Sequence, residues 1–197
     1  MASKVYTKKG DKGYTSVMGT SERLLKSHRR IEAIGTVDEL NSYVGVLRSF
    51  PSSPQEILVT LEKIQNDLFN VGASLANVRT SEDSIRFEPS SDGSNGRRPA
   101  DIKLNIQELE TEMDEMSTHL EPLKNFILPA GSQSICFCHV ARTVARRAER
   151  KIIKLALSET INGIILPYMN RLSDYFFVLA RYLAVILKEK EVIWLPK

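Results

Sequence analysis

Apolar residues recur at alternating steps of four and three along most of the chain, a rhythm that predicts helices. In residues 29–48 the apolar face is Ala33, Val37, Leu40, Val44 and Leu47, and Pro51 and Pro54 end the element. The second helix opens on a capping box, Ser53 with Glu56 three residues on and Pro54 at the first helical position. Its stripe runs Ile57, Leu61, Ile64, Leu68, Val71, Leu75. After Asp101 the same spacing passes through Ile102, Ile106, Leu109, Met113, Met116 and Leu120. A fourth helix follows Pro129-Ala130-Gly131-Ser132 and runs to Ser158; a fifth follows Pro167 and buries Leu172, Phe176, Leu179, Leu183 and Ile186. No segment alternates apolar and polar residues over the length of an ordinary strand. The expected fold is therefore all-α, a five-helix antiparallel bundle forming a single domain over residues 1–197.

Two segments break the rhythm. Residues 79–100 are polar and rich in Ser, Gly and charge, and disorder is expected for most of this loop. The other is the irregular segment 1–28. Thr7-Lys8-Lys9-Gly10-Asp11-Lys12-Gly13-Tyr14-Thr15-Ser16 packs glycines, lysines and hydroxyls together. Glycine lets backbone N–H groups turn toward an anion, and lysine adds positive charge. This is not a Walker A loop, since no Gly-Lys-Ser/Thr closes it. A flexible basic tail fits the same residues.

Composition narrows the classes. The 197 residues carry 27 Lys and Arg against 24 Asp and Glu, too small an excess to argue for nucleic acid. The charge is uneven, however. Residues 1–30 hold eight basic residues against Asp11 and Glu22, and residues 142–154 hold six against Glu149. Two basic clusters on a near-neutral chain point to a localised anion site or to two solvated faces. No apolar run approaches a membrane span. Cys136 and Cys138 form neither a disulfide framework nor a zinc set, which fits a reducing compartment. The cytoplasm is expected, or an organelle matrix if a targeting segment has been removed.

Arg142, Arg146 and Glu149 lie at i, i+4 and i+7, on one flank beside the apolar stripe Phe137, Ala141, Ala145, Ala148, Ile152 and Leu155. Arginine there offers a planar fork for carboxylate or phosphate, although Arg–Glu pairs are also common on solvated faces. Arg147, Lys151 and Lys154 point elsewhere. Asp38 and Asn41 border the apolar stripe of the first helix, where such residues call for a partner. An arginine of the fourth helix is expected to supply it, within one chain or across a subunit boundary. Asn170 and Asp174 have the same look at the start of the fifth helix, and Asn170 also suits a cap. His28, His119 and His139 are isolated, and no second Glu–His pair joins Glu115 and His119 in a di-metal pattern.

Taken together, Thr7-Lys8-x-Gly10-Asp11-x-Gly13-x-Thr15, Gly35-Thr36-Val37-Asp38-Glu39-Leu40-Asn41, Arg142-x-x-x-Arg146-Arg147-x-Glu149-Arg150 and Asn170-Arg171-Leu172-Ser173-Asp174 resemble the PduO-type ATP:cob(I)alamin adenosyltransferases. The resemblance implies a five-helix bundle, a homotrimer and an ATP site between neighbouring subunits. It implies transfer of the 5′-deoxyadenosyl group of ATP to cob(I)alamin, with triphosphate leaving. By the same resemblance Thr7, Lys8, Lys9, Gly10, Thr15 and Ser16 wrap the triphosphate. Lys26, Asn41, Arg146, Arg147, Glu149, Arg150 and Asn170 are further nucleotide contacts, and Arg142 pairs with Asp38 across the boundary. Mg2+ enters with ATP, with no metal ligand assigned to the protein. Phe126 stands beneath the corrin of cobalamin, and Trp194 is a candidate for a second aromatic. The catalytic set is Phe126, Arg146, Asp38 and Arg142. Partners implied are a cobalamin reductase or an adenosylcobalamin-dependent enzyme, and neither nucleic acid nor membrane. The competing class is a non-catalytic helical module whose basic faces bind an anion such as RNA; its few aromatics lie in core stripes, not among the basic residues.

Overall fold

The computed structural model describes residues 6–17, 23–50, 54–77 and 103–196. Five helices form the body: α1 (Arg29–Arg48), α2 (Gln55–Ala76), α3 (Ile106–Ser117), α4 (Gln133–Ala156) and α5 (Ile165–Ile186). The apolar faces of α1 and α2 are buried as the spacing requires, with Ala33, Leu40, Val44, Ile64 and Val71 at 1% exposure or less. α4 lies between α1 and α5, α2 covers the far side of α1, and α3 packs on α5. The small residues Ala141, Ala145 and Ala148, all fully buried, form the face of α4 turned into this core.

Local signals set the ends. The His28 side chain accepts from the Arg30 N–H and caps α1. Asn105 accepts from the Glu108 N–H at 3.1 Å and starts α3, four residues later than a helix through Ile102 would begin. Ile102, the Ser53 half of the capping box and the loop 79–100 lie outside the described residues. Pro54 stands just ahead of α2, at its N-cap. Arg30, 3% exposed, ties the bundle ends together: it pairs with Glu159 beyond α4 and donates to the Leu75 and Asn77 carbonyls closing α2.

A short hairpin precedes α1. β1 (Tyr14–Ser16) and β2 (Arg23–Leu25) run antiparallel, with Thr15 opposite Leu24. Three residues per strand are too few to show an alternating pattern, so the sequence concealed it. At the other end, residues 126–128 take the C-terminal tail as a partner: Leu128 N–H donates to Val192 O at 2.7 Å, and Trp194 N–H to Phe126 O at 2.8 Å. Among the described residues no helix is long and apolar enough to cross a membrane.

Candidate functional site

The N-terminal arm turns through residues 8–13. Gly13 N–H donates to Gly10 O at 3.1 Å, and Lys26 N–H to Gly13 O at 2.8 Å. Gly13 has φ +80°, which suits glycine; Lys8 holds φ +57°, a conformation that costs an L residue about 1–2 kcal/mol. Backbone held in that region is concentrated at ligand sites. The Lys26 ammonium folds over Gly10, so close that a Cβ there would stand 3.1 Å from Nζ. Arg23, which the sequence reading passed over, braces the turn by donating to the carbonyls of Lys9 and, at 3.0 Å, Tyr14. Thr7, Lys8, Lys9 and Ser16 are exposed and Thr15 is half-buried. Thr7 Oγ1 accepts from the Lys9 N–H at 3.4 Å.

The second cationic group is the flank of α4. Arg142 is half-buried, its Nε has no hydrogen-bond partner, and burial followed by the neighbouring Arg146 charge lowers its pKa. Arg146 and Arg150 are exposed, and among the described residues neither has a carboxylate partner. Asn170 is no cap: it sits within α5 and donates its Nδ2 to Glu149 Oε1 at 3.1 Å. That bond fixes the carboxylate edge beside the arginines.

The contacts of α1 with its neighbours differ from those its spacing predicts. The partner that α4 gives α1 is Arg147 to Glu39, with Lys151 on Glu32 at 2.8 Å, so the two cations said to point elsewhere bind α1. Asn41 faces α2 instead, exchanging hydrogen bonds with Gln65: Nδ2 to the Gln65 carbonyl at 3.3 Å, Gln65 Nε2 to the Asn41 carbonyl at 3.2 Å. Its Oδ1 is buried without a partner. Asp38 is exposed, and within the described residues its carboxylate makes no ion pair. Among the described residues of the arm, 7–17 and 23–26, none has a hydrogen bond or ion pair to α4 within the protomer.

The third group is aromatic. Phe126 is 78% exposed and meets the edge of Trp194, ring centroids 6.2 Å apart at 74°. No alternation or helical period brings residues 126 and 194 together; the tail pairing does. Cys138 is buried and its thiol pKa is pushed up, while Cys136 is half-buried; both are free thiols.

A family model described as cobalamin adenosyltransferase matches residues 5–183. The chain belongs to the cobalamin adenosyltransferase family. It is 40% identical over 181 residues to the corrinoid adenosyltransferase of Bacillus subtilis, covering 90% of this chain and 85% of that one. The human corrinoid adenosyltransferase MMAB is 36% identical over 195 residues, covering 98% of this chain and 73% of its own. Among solved structures, a phenylalanine-to-alanine variant of the PduO-type ATP:corrinoid adenosyltransferase from Lactobacillus reuteri, complexed with cobalamin and ATP, superposes with a TM-score of 0.84. It is 37% identical, with 98% of this chain and 100% of that one covered. An arginine-to-lysine variant from the same organism, complexed with ATP, gives a TM-score of 0.80 at 37% identity and covers 97% of this chain and all of that one. The cobalamin adenosyltransferase fold is thus shared from the N-terminal arm to the tail.

Proposed function

We propose that this chain transfers the 5′-deoxyadenosyl group of ATP to cob(I)alamin, forming adenosylcobalamin and releasing triphosphate. The observation that carries the reading, beside family membership, is the arm. Its glycines and the left-handed Lys8 turn a backbone whose lysines, among the described residues, meet no carboxylate. Such an arm is built for an anion. The arm of one protomer would close on the α4 flank of its neighbour in a homotrimer. Support for this comes from three features of the described residues: no bond joins the two within one protomer, Arg142 Nε is orphaned, and Asp38 makes no ion pair. In that assembly Arg142 pairs with Asp38 across the boundary.

The reaction needs no proton moved at its start. The cobalt nucleophile attacks the 5′ carbon, the cobalt–carbon bond forms as the carbon–oxygen bond breaks, and the electron pair leaves on the triphosphate oxygen. The protein's work is positioning and charge stabilisation. Lys8, Lys9, Lys26, Arg146 and Arg150 meet the charge growing on the departing triphosphate, with Thr7, Thr15 and Ser16 supplying hydroxyls. Glu149, held by Asn170, aligns the nucleotide; Asn41 and Arg147 stay on the helices that frame the pocket. Mg2+ would enter with the nucleotide, held mainly by its phosphate oxygens and water. Phe126 lies against the corrin and keeps the cobalt four-coordinate, which makes it easier to reduce. The cofactor-like substrate carries the difficult chemistry and the protein tunes it. The free thiols favour a cytoplasmic setting.

The test is anaerobic. Purified protein, ATP, Mg2+ and chemically reduced cobalamin should give the absorption spectrum of adenosylcobalamin, with stoichiometric triphosphate. Hydrolysis to ADP and phosphate, or no corrinoid product, would remove the assignment.

A further inference from the structure

The exposure of Phe126 raises the question of what aims it. Residues 121–126 are all exposed, so no buried apolar side chain fixes the segment that carries the ring. The tail is similar, with residues 192–196 exposed. Two backbone bonds zip the strands to each other, but they do not tie them to the bundle.

Arg181 supplies that tie. It projects from the last third of α5 with its side chain 10% exposed. Its Nε donates to Glu191 Oε1 at 2.6 Å, and its Nη2 donates to the Glu121 carbonyl at 2.7 Å. One guanidinium therefore grips the residue that begins the run to Phe126 and the residue three before Trp194. A planar fork with several donors suits this double grip; a lysine ammonium reaches less far and lacks the fixed geometry. A second anchor stands beside it. The Glu189 carboxylate accepts the Ser132 N–H at 2.8 Å at the start of α4, whose N-cap serine makes no side-chain capping bond. Ile127 and Leu128 line a cleft there with Ile135, Ala180 and Ala184.

We infer that Arg181 is a positioning residue for the corrin reaction, holding the Phe126–Trp194 edge in place from α5. This rests on the reading of Phe126 as the residue against the corrin. Both bonds of Arg181 end on exposed segments, while its helix neighbours Leu179, Ala180 and Leu183 are packed in the core without it. Its loss should free the aromatic edge and leave the bundle folded.

Trp194 is the sole tryptophan, so its emission reports the edge directly. Arg181→Ala, Arg181→Lys and Phe126→Ala are compared with wild type by iodide quenching of Trp194, helical circular dichroism, ATP KM, and turnover with cob(II)alamin under reducing conditions. Arg181→Ala should keep wild-type circular dichroism and ATP KM, increase the quenching of the already exposed Trp194, and lose about tenfold to a hundredfold in corrinoid turnover. Arg181→Lys should recover part of both losses. Unchanged quenching in Arg181→Ala would overturn the tie. Altered quenching with full turnover, while Phe126→Ala is inactive, would overturn the positioning role and leave the Phe126 reading standing. Full activity of Phe126→Ala would remove that reading and this inference with it.

Discussion

The ammonium of Lys26, which closes the hairpin, rests over Gly10 with room for no side chain between them: a Cβ on Gly10 would lie 3.1 Å from Nζ and 3.4 Å from Cε. The glycine thus lets a cation and a backbone turn share one small volume. Gly10→Ala is expected to fold normally, because the displaced group is the mobile end of a lysine, but to swing that ammonium away. ATP KM should rise about tenfold, the worth of one charge-assisted hydrogen bond, with corrinoid KM unchanged. Steady-state kinetics with each substrate varied in turn check this.

Arg146 is exposed on the α4 flank without a carboxylate partner among the described residues. Its removal should therefore cost the bundle nothing measurable. Arg146→Ala is expected to melt like wild type and to lose about a hundredfold or more in adenosylation. Thermal denaturation and the anaerobic assay together decide it, and wild-type turnover in the variant would refute the role.

Among the described residues, Asp38 and Arg142 are each incomplete in one protomer: the carboxylate makes no ion pair and the guanidinium Nε is buried and unbonded. Breaking a pair that is buried only in the assembly should act on assembly. Asp38→Asn is expected to shift sedimentation from trimer toward monomer at dilution, with helical content retained. Unaltered sedimentation would exclude the cross-boundary pair.

Glu112 lies half-buried between α2 and α5, accepting from Thr60 Oγ1 at 2.6 Å and Tyr175 OH at 3.4 Å. Burial raises its pKa above 4.5, the Glu108 charge adds to this, and the hydroxyl bonds oppose it. A carboxyl whose folded pKa is raised binds its proton more tightly in the folded state. Its contribution is full below the ordinary value near 4.5 and is lost as pH rises through the raised value. Glu112→Gln keeps a neutral acceptor, so the difference in stability between variant and wild type should grow in the variant's favour as pH rises from acid to neutral. Urea denaturation across that range measures the slope; a constant difference would contradict it.

Much of this architecture could be read from spacing. The four-three stripes place Leu40, Leu61 and Phe176 in the core because helical burial is periodic and local. What spacing could not show were contacts made by geometry between distant segments. Arg147 meets Glu39 and Asn41 meets Gln65 because the packing of α1 between α2 and α4 decides which flank faces which helix. The hairpin escaped because each strand has three residues. Phe126 and Trp194 meet through two backbone bonds that carry no side-chain signature. Arg23, and Arg181 in one of its two bonds, act on carbonyls, which any sequence provides. The cationic residues of the arm and of α4 were visible as chemistry; the proposed relation between them across protomers rests on assembly, which one chain's sequence does not display.

Complementation tests that relation most directly. A chain crippled in the arm by Lys26→Ala and a chain crippled in the flank by Arg146→Ala are each purified, then co-assembled in equal amounts. If every site joins the arm of one protomer to the α4 flank of its neighbour, one boundary in four brings an intact arm to an intact flank, and about a quarter of wild-type adenosylation should return. If mixed assemblies form and remain as inactive as their parents, arm and flank do not build one site across the boundary.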